Sequence, residues 1–274
     1  MPPPEPSLAW IVDSVLASPK YRNVARGLVD RVARQEAARG RAAKETIKAV
    51  KNKLHQVAGA YLARPPDYAS WLDDLRRAAA SPGQADLRLA CRDMMRSHAS
   101  TRERLPLLDE FYAQILAGLP PIRSVLDLAC GLHPLAIPWM DLAPGTEYVA
   151  VDIYQDLIGF LGTALPSLGV RGSARALDVV ESIPDQQVDL AFLLKTIPCL
   201  EQVDKTAGLR LLESVQARTL LVSFPAHSLG GRSKGMPASY AAHFEELVAG
   251  QPWAIDRFEF RTELVFRIRK DDRG

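Results

Sequence analysis

The chain has 274 residues, 47% of them hydrophobic, which is enough for one large domain or one domain with a smaller extension. No apolar run reaches the roughly eighteen residues of a membrane-spanning helix, and the first residues lack the pattern of a signal peptide. Three cysteines without CxxC spacing argue against disulfides and zinc, so we expect a reduced, cytoplasmic protein without a bound metal.

The formal net charge is only +2, but it is unevenly distributed. Residues 1–104 contain 19 Lys and Arg against 11 Asp and Glu, whereas the remainder contains 15 against 21. A basic front half can be an extension that binds a polyanion. Solvated helices in an arginine-rich sequence would give the same imbalance, and composition alone does not separate the two interpretations.

Helical periodicity dominates the first hundred residues, and no strand is expected before residue 124. Lysines 44, 48, 51 and 53 lie opposite the apolar stripe of the third helix, and Pro65-Pro66 ends it. The sequence predicts an all-helical N-terminal domain (1–100) with basic faces. Its predicted helices cover residues 8–16, 21–38, 42–62, 71–80 and 85–95.

Strands alternate with helices in the second half, after a predicted helix over 102–119. The predicted strands cover 124–129, 147–152, 174–179, 188–194 and 218–223, and the helices among them cover 155–165, 205–215 and 237–248. Residues 255–269 give two more strands without an intervening helix, which predicts an antiparallel hairpin. The fold class is therefore α/β: a Rossmann-like, mostly parallel seven-stranded sheet with an antiparallel terminal hairpin, over a domain of residues 101–274.

The stretch 125–134, VLDLACGLHP, is the centre of this domain. A buried strand runs into a tight turn at Cys130-Gly131, and a helix is expected to begin near Pro134. Backbone can approach a ligand closely at Gly131, at the sheet edge where α/β proteins bind ligands. With one glycine and no GxGxxG, an ordinary strand-to-helix turn is an equal alternative.

Two acidic residues follow neighbouring strands. Asp152 ends the second predicted strand, where a carboxylate can accept hydrogen bonds from both ribose hydroxyls, and Asp178 ends the third, where it can receive an adenine amino group. Helix capping or loop solvation would explain either residue equally simply. A nicotinamide cofactor needs several glycines around its pyrophosphate, so the single glycine favours S-adenosylmethionine.

The segment His98–Arg104, HASTRER, precedes the change of pattern. Ser100 and Glu103 have the spacing of a capping box, which predicts a helix start. A capped helix N-terminus with His98 and Arg104 nearby would suit the methionine carboxylate of that cofactor.

Several longer motifs resemble one family, the aminoglycoside-resistance 16S rRNA (guanine(1405)-N(7))-methyltransferases of the Arm/Rmt type. They occur in the family's order: KYR (20–22), LH (54–55) with GAY (59–61), HASTRERL (98–105), VLDLACGLHPLA (125–136), LLK-x-x-P (193–198) and SFPAHSLGGRSKGM (223–236). The chain departs from the family at His133, usually Asn, and in the spacing after Pro198.

This resemblance implies a helical domain that docks on the 30S subunit, a methyltransferase domain that binds S-adenosyl-L-methionine, and resistance to aminoglycosides. The implied cofactor-binding residues are Tyr61, His98, Ser100, Arg104, Ala129, Gly131, Asp152, Asp178, Val179, Leu194 and Gln202. The implied RNA-binding residues are Lys20, Arg22, Lys51, Lys53, Arg232 and Lys234.

Guanine N7 carries a lone pair and no proton, so methyl transfer needs no general base and no catalytic acid or base is expected. Lys195, Phe224 and Arg232 are candidates for holding a flipped base, by position only. A methyltransferase acting on a small molecule, or a non-catalytic ribosome-binding protein with the same fold, remains an alternative.

Overall fold

A computed structural model describes residues 7–57, 66–202, 204–226 and 236–270. Helices come first and the sheet begins at Ser124, as predicted. The helices before the sheet are α1 (Leu8–Leu16), α2 (Arg26–Ala37), α3 (Ala43–Val57), α4 (Tyr68–Ala80), α5 (Ala85–Met95), α6 (Ala99–Arg104) and α7 (Leu108–Ile115), with a short 3-10 helix (Leu105–Leu107) before α7.

The first three helices share a small core of their own. Ser7 caps α1 by accepting a hydrogen bond from the Trp10 N–H, and α1 buries Val12 and Val15. Val29 of α2 and Leu54 of α3 are fully buried in the same cluster. The apolar stripes predicted from the sequence are therefore what joins these helices.

Two of the predicted helices are shorter than expected. Residues before Arg26 form turns, and Val24 makes an isolated antiparallel bridge with Tyr154 instead of entering α2. The helix predicted over 102–119 is interrupted around Pro106, because proline lacks the N–H that a continuous helix needs. The predicted boundary at residue 100 stays a prediction, although α4 and α5 already pack into the core of the sheet through Leu75 and Met94.

Seven strands form one sheet, as predicted. They are β1 (Ser124–Leu128), β2 (Glu147–Asp152), β3 (Arg171–Ala176), β4 (Val188–Leu194), β5 (Ala217–Pro225), β6 (Trp253–Glu259) and β7 (Glu263–Lys270). The order is β3-β2-β1-β4-β5-β7-β6, with β1 to β5 parallel and β7 antiparallel to both of its neighbours. The strand order reverses between β1 and β4, which is where such sheets bind ligands.

The third strand lies earlier in the chain than predicted. It starts at Arg171, opposite Glu147, and ends at Ala176, so Asp178 lies in the following loop and does not end the strand. The approach of the two strands is close, since a Cβ at Gly172 would lie 1.8 Å from the Tyr148 carbonyl oxygen. The polar sequence RGSARA of this edge strand gives little apolar signal, which explains the misplacement.

Four α-helices connect or follow the strands: α8 (Gln155–Ala164), α9 (Ile197–Leu200), α10 (Ala207–Ser214) and α11 (Met236–Leu247). The short α9 was not predicted. The helix expected near Pro134 is a 3-10 helix (His133–Trp139), which also contains Pro138. Both faces of the sheet are covered by apolar clusters. Among the described residues no helix is long and apolar enough to cross a membrane.

Candidate active site

A cavity of about 1140 Å³, counted with the solvent space at its mouth, opens at the carboxyl ends of β1, β2 and β4. It lies at the reversal of strand order, the position expected from the sequence. Its wall brings together nine of the predicted cofactor-binding residues: His98, Ser100, Arg104, Ala129, Gly131, Asp152, Asp178, Val179 and Leu194.

Residues 129–133 form the floor of the cavity and are called the glycine turn below. Ala129 and Gly131 both have a φ of 52°, the left-handed region, which costs energy for alanine and little for glycine. A Cβ at Gly131 would lie 2.9 Å from His98 Cε1, so a side chain here would have to displace the His98 ring. Burial, together with the positive charges of Lys195, Arg104 and Arg102, lowers the pKa of His98 to about 4.

Backbone groups hold the Asp152 carboxylate beside this turn. Its Oδ2 accepts from the Gly131 N–H at 2.9 Å, and its Oδ1 accepts from the N–H groups of Ile153 and Tyr154 at 2.7 and 3.3 Å. Burial raises the pKa of Asp152, and these three hydrogen bonds oppose that rise. Since a carboxylate has about four acceptor positions and three are used, about one remains for a hydroxyl group of a ligand.

A buried polar cluster lies beneath the glycine turn and was not predicted. Asp127 Oδ2 accepts a hydrogen bond from the Tyr148 hydroxyl at 2.7 Å and lies 2.8 Å from His133 Nδ1. His133 is 3% exposed and packs edge-on against Phe192. The sequence marked His133 only as a departure from the family, and its partner was not evident.

Ion pairs between distant parts of the chain form another side of the cavity. Arg104 Nε and Nη2 donate to Glu263 at 3.0 and 2.6 Å, across 159 residues. Lys195, whose φ is 57°, donates from Nζ to Glu103 at 2.6 Å. Burial alone would raise the pKa of Glu263, but the charges of Arg104 and Lys195 outweigh it and lower that pKa.

The predicted capping box is therefore wrong. α6 has His98 as its N-cap residue, so Ser100 lies inside the helix and makes no cap hydrogen bond. Glu103 does not turn back to the helix start, because its carboxylate pairs with Lys195. Thr101 instead donates from Oγ1 to the Met95 carbonyl at 2.7 Å.

A third ion pair joins the first helices to the cavity. Arg31 of α2 donates from Nε and Nη2 to Asp178 at 2.7 and 3.2 Å, and both side chains are buried. Arg31 also lines the cavity and was not predicted, since 147 residues separate it from its partner. These pairs are called the charged wall below: Arg31–Asp178, Arg104–Glu263 and Lys195–Glu103.

Some predicted site residues lie elsewhere. Gln202 is exposed and does not line the cavity; its carbonyl oxygen accepts a hydrogen bond from Lys53 Nζ at 3.1 Å. Phe224 is fully buried between Tyr240 and Phe266, so the prediction that it holds the target base is wrong. Lys195 does line the cavity. Three predictions fall outside the described residues: Tyr61, Arg232 and Lys234.

The predicted RNA-binding residues that the structure describes lie in the turns between α1 and α2 and on α3. Lys20 and Arg22 are exposed, and Lys51 and Lys53 are partly exposed on α3. Lys20 Nζ lies 2.9 Å from Nδ1 of His55, which is also on α3. No group of acidic, histidine or cysteine side chains suited to a metal ion occurs in the described part of the chain.

Comparison with known proteins identifies the family. A family model described as "Ribosomal RNA methyltransferase (FmrO)" matches residues 17–267. The chain belongs to this family. The FmrO-family chain is 40% identical over 270 residues to the 16S rRNA (guanine(1405)-N(7))-methyltransferase of Micromonospora echinospora, covering 97% of this chain and 98% of that protein.

Two solved structures agree with this membership. The 16S rRNA methylase RmtB superposes with a TM-score of 0.80 and 30% identity, covering 97% of the FmrO-family chain and 99% of RmtB. The 16S rRNA methyltransferase RmtF in complex with S-adenosyl-L-homocysteine gives a TM-score of 0.78 and 31% identity, covering 96% and 98%. The predicted family, the methyltransferase fold and the dependence on S-adenosylmethionine are confirmed.

Proposed function

We propose that this FmrO-family enzyme transfers a methyl group from S-adenosylmethionine to N7 of guanosine 1405 of 16S rRNA in the assembled 30S subunit, and so confers resistance to aminoglycosides. The observation that carries the proposal is the 40% identity, over nearly the full length of both chains, to a protein named for that reaction. A cavity at the switch point of the sheet supports it, because this is where the donor is expected to bind.

The chemistry of the cavity wall fits this donor. Asp152 and Asp178 both line the cavity. Asp152 would accept a hydrogen bond from a ribose hydroxyl, and Asp178 one from the adenine amino group. Gly131 lets the backbone come close to the ligand. His98, Ser100 and Arg104 would face the methionine carboxylate of the donor. Two nitrogens of Arg104 also donate to Glu263. Tyr61 remains a predicted contact, whereas Gln202 does not line the cavity.

When bound, S-adenosylmethionine supplies an activated methyl group on a sulfonium sulfur. Guanine N7 would take that methyl group through its lone pair, and the sulfur would keep the electrons of the carbon–sulfur bond. No proton moves, so the protein needs no general base, and its contribution is to align the two reactants and to exclude water. The neutral His98 and the paired charges around it are consistent with a positioning role.

The target base has to leave its helix before it reaches the donor. Lys195 is the candidate for holding it among the described residues, because it lines the cavity and is anchored by Glu103. Arg232 remains a candidate by sequence position. With Phe224 in the core, a charged side chain rather than an aromatic one is proposed for this role.

The proposal is tested with methyl-labelled S-adenosylmethionine in three separate reactions, which contain 30S subunits, 50S subunits or naked 16S rRNA. We expect label on 30S subunits alone, in the nuclease fragment that contains guanosine 1405 when fragments are weighed by mass spectrometry. Strand scission at that nucleotide after borohydride and aniline treatment should show that the methyl group is on N7. Asp152→Ala is the control: it should abolish donor binding in calorimetry and labelling, yet keep 30S binding. Label on 50S subunits or small molecules, with none on 30S, contradicts the proposal.

Docking of the first helices on rRNA has a separate test. Lys20→Ala removes one exposed cation, so the slope of log binding constant for 30S against log salt concentration should fall by about one. Arg76→Ala removes one exposed cation from α4, where Arg76 pairs with Asp73, and is the matched control. Equal slopes for both variants would place the rRNA contact elsewhere.

A further inference from the structure

The helix α2 contributes a charged side chain to the cavity at the carboxyl edge of the sheet. Arg31 extends from α2 to Asp178, and Leu28 of the same helix also lines the cavity. The Arg31 and Asp178 side chains are 9% and 6% exposed. Burying a guanidinium costs free energy unless its N–H groups have hydrogen-bond acceptors. The third nitrogen of Arg31 is therefore the one whose acceptor has to be found.

That nitrogen, Nη1, is enclosed and has no hydrogen-bond partner among the described residues. Its two neighbours both donate to Asp178. An unsatisfied buried donor costs roughly 1–3 kcal/mol, and more on a charged group. On a side chain that lines a ligand cavity, such a donor indicates that the ligand provides the missing acceptor.

Adenine offers a matching pattern. Its 6-amino group is a donor flanked by two ring acceptors, N1 and N7, and the Arg31–Asp178 pair places a carboxylate acceptor beside a guanidinium donor. We infer that Arg31 is a cofactor-binding residue: Nη1 donates to one of the two ring nitrogens beside the 6-amino group, while Asp178 accepts from that group. This inference rests on the adenine position given in the proposed function.

One consequence is that the helices proposed to dock on rRNA also complete the adenine site. Other contacts fix α2 there: the Ala25 N–H donates to the Ile153 carbonyl at 2.7 Å, and the Gln155 N–H donates to the Asn23 carbonyl at 2.7 Å. Asn23 Nδ2 also donates to Asp156 at 2.6 Å. The segment just before α2 is therefore tied to the chain that follows β2, and this fixes the helix that carries Arg31.

Calorimetry with three ligands tests Arg31 directly. S-adenosylhomocysteine is compared with its 1-deaza and 7-deaza analogues, in each of which a C–H replaces one ring nitrogen. We expect the wild-type protein to bind one analogue about tenfold more weakly than the parent ligand, the size of one hydrogen bond. Arg31→Met should bind the parent ligand more weakly than the wild type does. It should bind that analogue as tightly as it binds the parent, because the donor is gone.

Arg34→Met is the matched control, since Arg34 lies on the same helix and pairs with Glu181 but is exposed and does not line the cavity. Its ligand ratios should equal those of the wild type. Arg31→Lys is the second variant: it keeps the charge next to Asp178 but loses the planar fork, so it should lose the same discrimination. Ratios that are unchanged in both Arg31 variants, or two analogues that bind the wild type as well as the parent, overturn the inference.

Asp178→Ala, which removes both acceptor oxygens, separates this inference from the proposal on which it rests. If that variant binds S-adenosylhomocysteine as tightly as the wild type, the adenine position itself is wrong. If Asp178→Ala weakens binding by about tenfold or more while neither analogue distinguishes the wild type from the Arg31 variants, the adenine position holds and only the role of Arg31 fails.

Discussion

The glycine turn and the charged wall surround the same cavity, but they are built in different ways. At the glycine turn, Asp152 is held by the backbone N–H groups of Gly131, Ile153 and Tyr154. In the charged wall, each carboxylate is held by a cationic side chain 92 to 159 residues away. The turn thus depends on segments that adjoin the paired strands β1 and β2, whereas the wall needs residues from distant parts of the chain.

Removing the centre of the charged wall should have the largest effect. Glu263 is 1% exposed and binds Arg104, with Lys195 Nζ 3.8 Å away, so Glu263→Ala leaves a buried arginine without its counterion. We expect the free energy of unfolding in urea to fall by about 3–5 kcal/mol.

Glu259→Ala provides the comparison, because Glu259 pairs with Arg257 on the exposed surface of the same hairpin. The loss there should stay below about 1 kcal/mol. Similar losses in the two variants would mean that the charged wall contributes no more than a surface pair.

A methyl group added to the glycine turn should have the next largest effect. Gly131→Ala forces alanine to a φ of 52° and places its Cβ 2.9 Å from the His98 ring. We expect a loss of about 2–4 kcal/mol in unfolding free energy from strain and overpacking together, and weaker binding of S-adenosylhomocysteine.

Gly118→Ala separates the two causes. Gly118 has a φ of 72°, but a Cβ there meets nothing within 4 Å, so only the strain of about 1–2 kcal/mol should appear. Ligand binding should be unchanged in this variant. If Gly131→Ala binds the ligand as the wild type does, the turn is not part of the donor site.

The local character of the turn explains why the sequence predicted it. The bounds of β2 and β4 agreed with prediction, because apolar runs of strand length mark them, and Asp152 was placed at the strand end for the same reason. Arg31 and Glu263 were missed because nothing near them in sequence identifies a partner. Phe224 was misassigned because side chains alternate along β5: Ser223 reaches Glu263 near the cavity, so its neighbour points to the opposite face.

His98 lies between the glycine turn and the charged wall, and its pKa makes the free energy of unfolding depend on pH. Its native pKa is about 4, below that of an unfolded histidine near 6.5. Between these values the unfolded chain binds a proton that the native state does not, so stability falls as the pH falls from 6.5 toward 4. The raised pKa of Asp152 acts in the opposite direction, and a single variant is needed to isolate His98.

His98→Gln removes the titrating ring. As the pH falls from 6.5 to 4, we expect the wild type to lose about 1 kcal/mol of unfolding free energy per pH unit relative to the variant. Between pH 7 and 8 the difference between the two proteins should be constant. Urea titrations at several pH values measure it. A difference that does not change with pH would mean that His98 is protonated alike in both states.

The smallest predicted effect relieves strain in the turn. Ala129 has a φ of 52°, so Ala129→Gly removes a left-handed strain of about 1–2 kcal/mol but adds roughly 0.5–1 kcal/mol of backbone entropy to the unfolded chain. The net result should be a gain of up to about 1.5 kcal/mol, read as a small rise in the urea midpoint. Asp141→Gly, at an exposed residue with a φ of 50°, should gain less, because aspartate tolerates this region better than alanine does. A loss of stability in Ala129→Gly would show that the Ala129 methyl group packs against the cavity wall, and that the turn is held by side chains as the charged wall is.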